Sequence, residues 1–159
     1  MKARVVYSSF VWFLTIIITT VAVAVCALSF NEPVVFWCVL IIPVGLLVPS
    51  ALYAPLSLTV DERNITVNSL LKRHRIPLRN VKEVELFQPT MGALRICASG
   101  GYMGYWGIFK EGDVGRYVGY YGKASDCFLV RMKNGDKYVL GCKDPAAAVD
   151  YINAVISKG

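Results

Sequence analysis

Charge is nearly absent from the first third of this chain. Between Val5 and Leu58 the only charged side chain is Glu32, which stands beside Pro33. Paired histidines are absent too. His74 is the only histidine among 159 residues, so no two-histidine metal site can form. It lies in a basic run that disfavours its protonated form, and it reads as a solvated loop residue rather than a base. The five cysteines, Cys26, Cys38, Cys97, Cys127 and Cys142, contain no CxxC pair. Zinc and thioredoxin-like motifs therefore lack support, and the thiols read as small apolar fillers in a reducing compartment. No serine stands in a nucleophile elbow, and no glycine run opens a helix as a phosphate cradle. Asp61-Glu62 reads as a turn, and Glu83 and Glu85 as one solvent face of a strand. No catalytic residue, metal or cofactor is expected, and an enzyme is the least supported class of function.

What is present begins with the apolar run itself. Val5 to Phe30 is uncharged, and as a helix at ~1.5 Å per residue it reaches ~39 Å. That exceeds a ~30 Å hydrocarbon core, with room for tilt. Asn31-Glu32-Pro33 is a turn, since Asn caps a helix and Pro fits its first turn. A second helix follows, about 34–54, with a kink expected from Pro43 and Pro49. Trp12, Trp37 and Tyr53 are candidate interfacial anchors. A cleaved signal peptide competes for the first segment, because Lys2 and Arg4 resemble its basic leader. Its apolar region, however, runs only ~7–15 residues. A lipoprotein cysteine at Cys26 is disfavoured by Val25 before it. An uncleaved transmembrane hairpin over residues 1–55 is the expectation.

The charges place it. Of seventeen Lys and Arg only Lys2 and Arg4 precede Thr59, and of eleven Asp and Glu only Glu32 does. The remainder therefore holds fifteen cations against ten anions. Basic residues flank both outer ends of the hairpin, so the positive-inside rule puts both termini in the cytoplasm. The Asn64-Ile65-Thr66 sequon then has no meaning. Mean hydropathy is +0.49, high for a soluble chain, and the excess sits at one end.

Residues 56–159 read as one small domain. Leu56, Leu58 and Val60 alternate, Asp61 to Asn64 turn, and Ile65 and Val67 alternate again. Lys72-Arg73-His74-Arg75 is a basic connection. Ile76-Pro77-Leu78 is a short extended piece, which Pro77 assigns to an edge or a bulge. Val81 to Phe87 and Leu94 to Ala98 are further strands. Gly100 to Gly122 holds eight of the 13 glycines and seven aromatics, a composition suited to a strongly curved hairpin at a barrel corner. Phe128 to Met132 and Tyr138 to Leu140 flank Asn134-Gly135, read as a two-residue turn. Asp144-Pro145 then opens a helix with Val149, Ile152 and Ile156 on one stripe.

This order, about seven antiparallel strands closed by a C-terminal helix, resembles the pleckstrin-homology-like barrel. It is most similar to the bacterial PH-like domains that follow two transmembrane helices. Three stretches carry the resemblance: Arg75 to Glu85, the Gly/aromatic run from Gly101 to Tyr121, and Lys137 to Leu140 before Asp144-Pro145. The resemblance covers Leu56 to Ile156. It implies the fold and a bacterial inner-membrane location; such domains are mostly of undefined function, so it supplies no catalytic residue.

Two groups of residues are candidates for contact. Lys72, Arg73, His74, Arg75, Arg79 and Lys82 can meet anionic headgroups or a partner, each cation near such a surface contributing roughly 1 kcal/mol. The bland alternative is a solvated loop that only obeys the positive-inside rule. Tyr102, Tyr105, Trp106, Tyr117, Tyr120 and Tyr121 can form an interaction surface, or serve only as curved barrel wall. A stacking platform for nucleic acid is disfavoured, with only Lys110, Arg116 and Lys123 near them. The expected partners are the bilayer, anionic headgroups, another membrane protein or a second copy. The expected function is a membrane-anchored binding or scaffolding module. An accessory or sensor subunit acting through the helices is the alternative.

Overall fold

The computed structural model describes residues 1–90, 92–112 and 114–157. Its two apolar helices stand between the first two strands of one sheet. Strand β1 (Lys2–Arg4) leads through Val5 to Ser8 into α1 (Ser9–Leu28), and α2 (Pro33–Tyr53) leads directly into β2 (Pro55–Val60). β1 and β2 pair antiparallel, with Lys2 opposite Thr59 and Arg4 opposite Ser57. The N-terminal ammonium donates to the Val60 carbonyl at 2.6 Å. Lys2 and Arg4, read from sequence as charges flanking a helix, are therefore strand residues. Three residues are too few for a legible alternation.

The helices start later and end sooner than the apolar run. Val5 N–H bonds to Leu56 O and Ser8 N–H to Gly122 O, each at 3.1 Å, which holds the entry segment extended. Ser8 then caps α1, its Oγ accepting from Val11 N–H at 3.2 Å. α2 continues through Pro43 and Pro49. Pro43 has no N–H for the carbonyl of Val39. The Cys26 thiol of α1 takes that place, donating to Val39 O at 3.7 Å. Both helices are almost wholly exposed, Phe13 at 64% and Leu46 at 65%. Helices of this length and composition, with their apolar side chains uncovered, are long and apolar enough to cross a membrane.

β3 (Asn64–Ser69) and β4 (Arg73–Pro77) complete a four-stranded antiparallel sheet in the order β1-β2-β3-β4. A six-stranded sheet holds β5 (Val81–Leu86), β6 (Leu94–Gly101), β7 (Gly104–Glu111), β8 (Gly115–Tyr121), β9 (Cys127–Met132) and β10 (Lys137–Gly141). Its order is β5-β9-β10-β8-β7-β6. Helix α3 (Pro145–Ile156) follows, its Asp144 cap accepting from Ala147 N–H at 3.1 Å.

This architecture corrects the expected barrel in three ways. The described residues form two separate sheets and no closed barrel, because Pro77 and a 3-10 turn at Leu78–Asn80 end the ladder where the chain passes between them. There are ten strands among the described residues rather than about seven: the N-terminus adds one, and the Gly/aromatic run stays in extended ladders instead of bending at a corner. Finally, the strands are not all antiparallel. β10 inserts between β9 and β8 and runs parallel to β8, Val139 opposite Gly119. The turn before β10 also differs, being a three-residue loop. Met132 N–H bonds to Asp136 O at 2.9 Å and Gly135 N–H to Met132 O at 3.1 Å, with Gly135 at φ +92°.

The main core lies between the sheets. Leu58, Val60, Ile65, Val67 and Ile76 from one meet Val84, Phe128, Val130 and Leu140 from the other, and Ile152 of α3 closes the end. A second cluster occupies the other face of the larger sheet, where Phe109, Tyr117, Tyr121, Leu129 and Val139 pack beneath Phe87 and Ala93.

Candidate functional site

The outward face of the four-stranded sheet is built from the side chains that the core does not use. On β1, Ala3 packs toward the core, so the alternation turns Lys2 and Arg4 outward. On β4, Ile76 is buried while Arg73 and Arg75 are exposed. The register aligns these residues across all four strands. One row is Arg4, Ser57, Asn68, Arg73, and the next is Lys2, Thr59, Thr66, Arg75. Each row is a strip of hydroxyl and amide groups with a cation at either end. The Asn68 amide donates to Ser57 Oγ at 3.3 Å and to Thr59 Oγ1 at 3.1 Å, which fixes the middle of the strip. The end cations of a row lie three strand spacings apart, about 14 Å, and the rows are about 7 Å apart. Lys2, Arg73 and Arg75 line a shallow basin of about 730 Å³ over the strips, with Arg4 in the nearer row beside it, and the end distant from the helices carries Asp61.

Among the described residues, no acid stands within ion-pair distance of these four cations. Among the described residues the ion pairs are Lys123–Asp126 and the contacts of Arg131 with Glu83 and Glu85. The Arg4 row is the one nearer the helices on every strand. Arg4 precedes α1, Ser57 follows α2, and the β3–β4 turn beside Asn68 and Arg73 is bonded to the end of α2. There, Ser69 Oγ donates to Tyr53 O at 3.0 Å and Leu71 N–H to Leu52 O at 3.1 Å. Leu70 and Leu71 at that turn are 65% and 61% exposed.

The six basic candidates from the sequence are thus divided. Lys72, Arg73 and Arg75 lie in or beside β4, which is an edge strand and not a loop. Arg79 lies at the opposite end of the domain, where its carbonyl accepts from Lys133 Nζ at 2.9 Å. Lys82 is exposed on β5 of the other sheet. His74 is not a solvated loop residue. It faces inward from β4 between Tyr120 and Tyr138, with ring centroids 5.6 and 5.5 Å away. Burial, and then the charge of Lys72, lowers its pKa. Lys2 lines the basin and Arg4 stands in its nearer row, and neither is among the sequence candidates. Their only signal was the i, i+2 spacing of two cations.

The six aromatic candidates go to three places and form no common surface. Tyr105, Tyr117 and Tyr121 belong to the second core cluster; Tyr105 stacks on Tyr121 at 5.0 Å and Phe109 on Tyr117 at 5.7 Å. The Phe109 and Tyr121 rings lie over Gly119, which faces Gly107 in the ladder. A Cβ on Gly119 would stand 2.9 Å from the Phe109 ring. Gly119 leaves the floor on which these rings lie. Tyr120 packs on His74. Trp106 and Tyr102 face the helices. Trp106 lies against Tyr53 at 5.6 Å, and the β6–β7 tip carrying Tyr102 reaches up α1. There, Met103 N–H donates to Thr15 Oγ1 at 3.1 Å, and the hydroxyls of Tyr102 and Thr19 are 3.5 Å apart.

Residues 56–155 match the family described as bacterial PH domain. The chain belongs to that family. Compared with curated proteins and with solved structures, it matches none. The matched region of this bacterial PH domain protein contains β2 to β10 and most of α3, but neither the helices nor β1. Two of the four cations of this sheet face, Lys2 and Arg4, therefore come from outside the family's own segment.

Proposed function

We propose that this protein is a membrane-anchored interaction module whose outer sheet face holds anionic membrane headgroups. The two helices cross the bilayer as a hairpin. β1 and β2 flank that hairpin and pair with each other, so both of its ends emerge on one side, together with the domain. The excess of Lys and Arg there, against a single Glu in the connecting turn, supports a cytoplasmic orientation of that side. The pairing of β1 with β2 supports a hairpin that stays on the chain, since removing α1 would remove β1 from the sheet.

The observation that carries the reading is the four-cornered arrangement of Lys2, Arg4, Arg73 and Arg75, none paired with an acid among the described residues. Positive charge held beside a bilayer attracts anionic lipid and weakens with salt. The test is the intact chain in detergent, titrated with phosphatidylglycerol and with phosphatidylcholine and read by native mass spectrometry. Preferential retention of phosphatidylglycerol that is lost in the Arg4→Gln/Arg73→Gln variant supports the reading. Equal retention of the two lipids refutes it.

A second reading, contact with another membrane protein, draws on an apolar groove of about 370 Å³ between α1 and α2. A partner that co-purifies with the intact chain in mild detergent, and is lost when Ala22 and Ala51 are enlarged to Leu, would favour it.

A further inference from the structure

We infer that the basin takes a lipid whose headgroup carries a second phosphate outward of the one that links it to glycerol. This rests on the reading above and specifies its ligand. A headgroup with one phosphate needs one pair of cations. The sheet presents two pairs, stacked in the direction that leads away from the helix ends. Arg4 and Arg73 form the nearer pair, and Lys2 and Arg75 the farther, one side-chain repeat of about 7 Å beyond it. Each flexible cation reaches inward over a strip of Ser, Thr and Asn, whose groups donate to phosphate oxygens without adding charge. The strip continues through both rows, so nothing separates the two positions. Asp61 stands beyond the farther row and ends the anion-attracting surface there.

The membrane side fits an amphiphile and not a soluble phosphate. Leu70 and Leu71 are exposed at the turn next to Arg73, and Leu71 is bonded to the last turn of α2. Acyl chains then lie along α2 and these leucines, the linking phosphate meets Arg4 and Arg73, and the outer phosphate meets Lys2 and Arg75. The N-terminal strand is what makes the second position possible, since without Lys2 the farther row has one cation.

The test uses the intact chain in detergent with three dioleoyl lipids: phosphatidylcholine, phosphatidylglycerol and phosphatidylglycerol phosphate. Two further cations engaged by the outer phosphate predict that phosphatidylglycerol phosphate binds about 30-fold tighter than phosphatidylglycerol. The Lys2→Gln/Arg75→Gln variant is expected to lose that advantage, binding the two anionic lipids equally, with phosphatidylglycerol itself somewhat weakened by the lost positive charge. An unchanged Tm in detergent shows that the variant is folded. The Arg4→Gln/Arg73→Gln variant is expected to weaken both lipids. Equal affinity of the wild type for the two anionic lipids overturns the inference and leaves the broader reading standing. A preference that survives Lys2→Gln/Arg75→Gln overturns it as well. No preference for either anionic lipid over phosphatidylcholine overturns both. Full displacement by glycerol phosphate at equal concentration would identify a soluble phosphate as the ligand and overturn the lipid assignment.

Discussion

Replacing Thr15 with Val tests whether the β6–β7 tip lies inside the bilayer. Thr15 is six residues beyond the start of α1, about 9 Å along its axis at ~1.5 Å per residue. It is 9% exposed on a helix whose neighbours are bare. Its hydroxyl donates to Val11 O at 2.7 Å and accepts Met103 N–H at 3.1 Å. Val keeps the shape and removes both bonds. The Val11 carbonyl keeps its helical partner, so the loss falls on Met103 N–H. Away from water, an orphaned amide costs about 1–3 kcal/mol, whereas interhelical side-chain bonds in membranes average about 0.6. The amide has no other acceptor at that depth, so we take about 1–1.5 kcal/mol. At ~2–4 °C per kcal/mol for a chain of this size, Tm falls by about 2–6 °C. Thr15→Ser should restore most of it, and Thr19→Val, whose contact with Tyr102 is 3.5 Å and exposed, should cost less. The assay is thermal unfolding of the intact chain in detergent, alongside quenching of Trp106 emission by brominated lipid. A Thr15→Val variant with unchanged Tm and unchanged quenching would refute the reasoning.

Two further perturbations probe the sheets. Gly107 has φ +119°, and a Cβ there would strike Cys97 O and lie 2.6 Å from Ala98 Cα, both backbone atoms. Gly107→Ala should therefore cost backbone strain of about 1–3 kcal/mol and a similar amount of overpacking. Gly135→Ala, at φ +92° in open space, should show the strain alone; equal Tm losses for the two would contradict the packing account. His74 supplies a pH dependence. Its folded pKa lies below 6.5, so the unfolded chain binds the proton more readily, and stability is full above pH 6.5 and falls as pH drops toward the folded value. His74→Phe should flatten the decline of Tm between pH 7 and pH 5, and an unchanged slope would assign the decline to other groups.

Much of this fold was legible because its signals are local. A 20-residue apolar helix needs no partner to be recognised, and neither does Asp144-Pro145 before a striped helix. The alternation of Leu58, Val60, Ile65 and Val67 named one face of a sheet correctly. What failed to show was long-range pairing. Nothing in Lys2-Ala3-Arg4 records that β2, more than fifty residues away, lies beside it. Nothing in His74 records Tyr120 and Tyr138, so a run of cations looked like a loop. The glycines from Gly100 to Gly122 announced close approach but not its object. Gly119 is approached by Phe109, Gly101 by Leu14 of α1 and Gly122 by the backbone of Val6. Composition gave the requirement, and only topology could supply the neighbour.

The position of the hairpin changes what the helices can do to the domain. A tail that precedes a folded unit can move without disturbing it. Here the helices interrupt a two-stranded ladder: β1 enters, α1 and α2 follow, and β2 returns to pair with β1. Tyr7 OH donates to Pro55 O at 2.5 Å across that junction, and burial raises its pKa to about 12, so it stays a donor. Lys143 N–H bonds to Arg4 O at 3.0 Å, which ties the same strand to the chain just after β10. Any change in the separation of α1 and α2 at their domain ends must therefore be absorbed by β1 sliding on β2 or by rotation of the whole sheet. A one-residue slip of β1 would turn Lys2 and Arg4 inward and Ala3 outward, which the buried neighbours of Ala3 oppose. The ladder thus fixes the helix pair and the four cations of that face as one unit. A lipid bound there, as proposed, would then be coupled to the tilt of the hairpin.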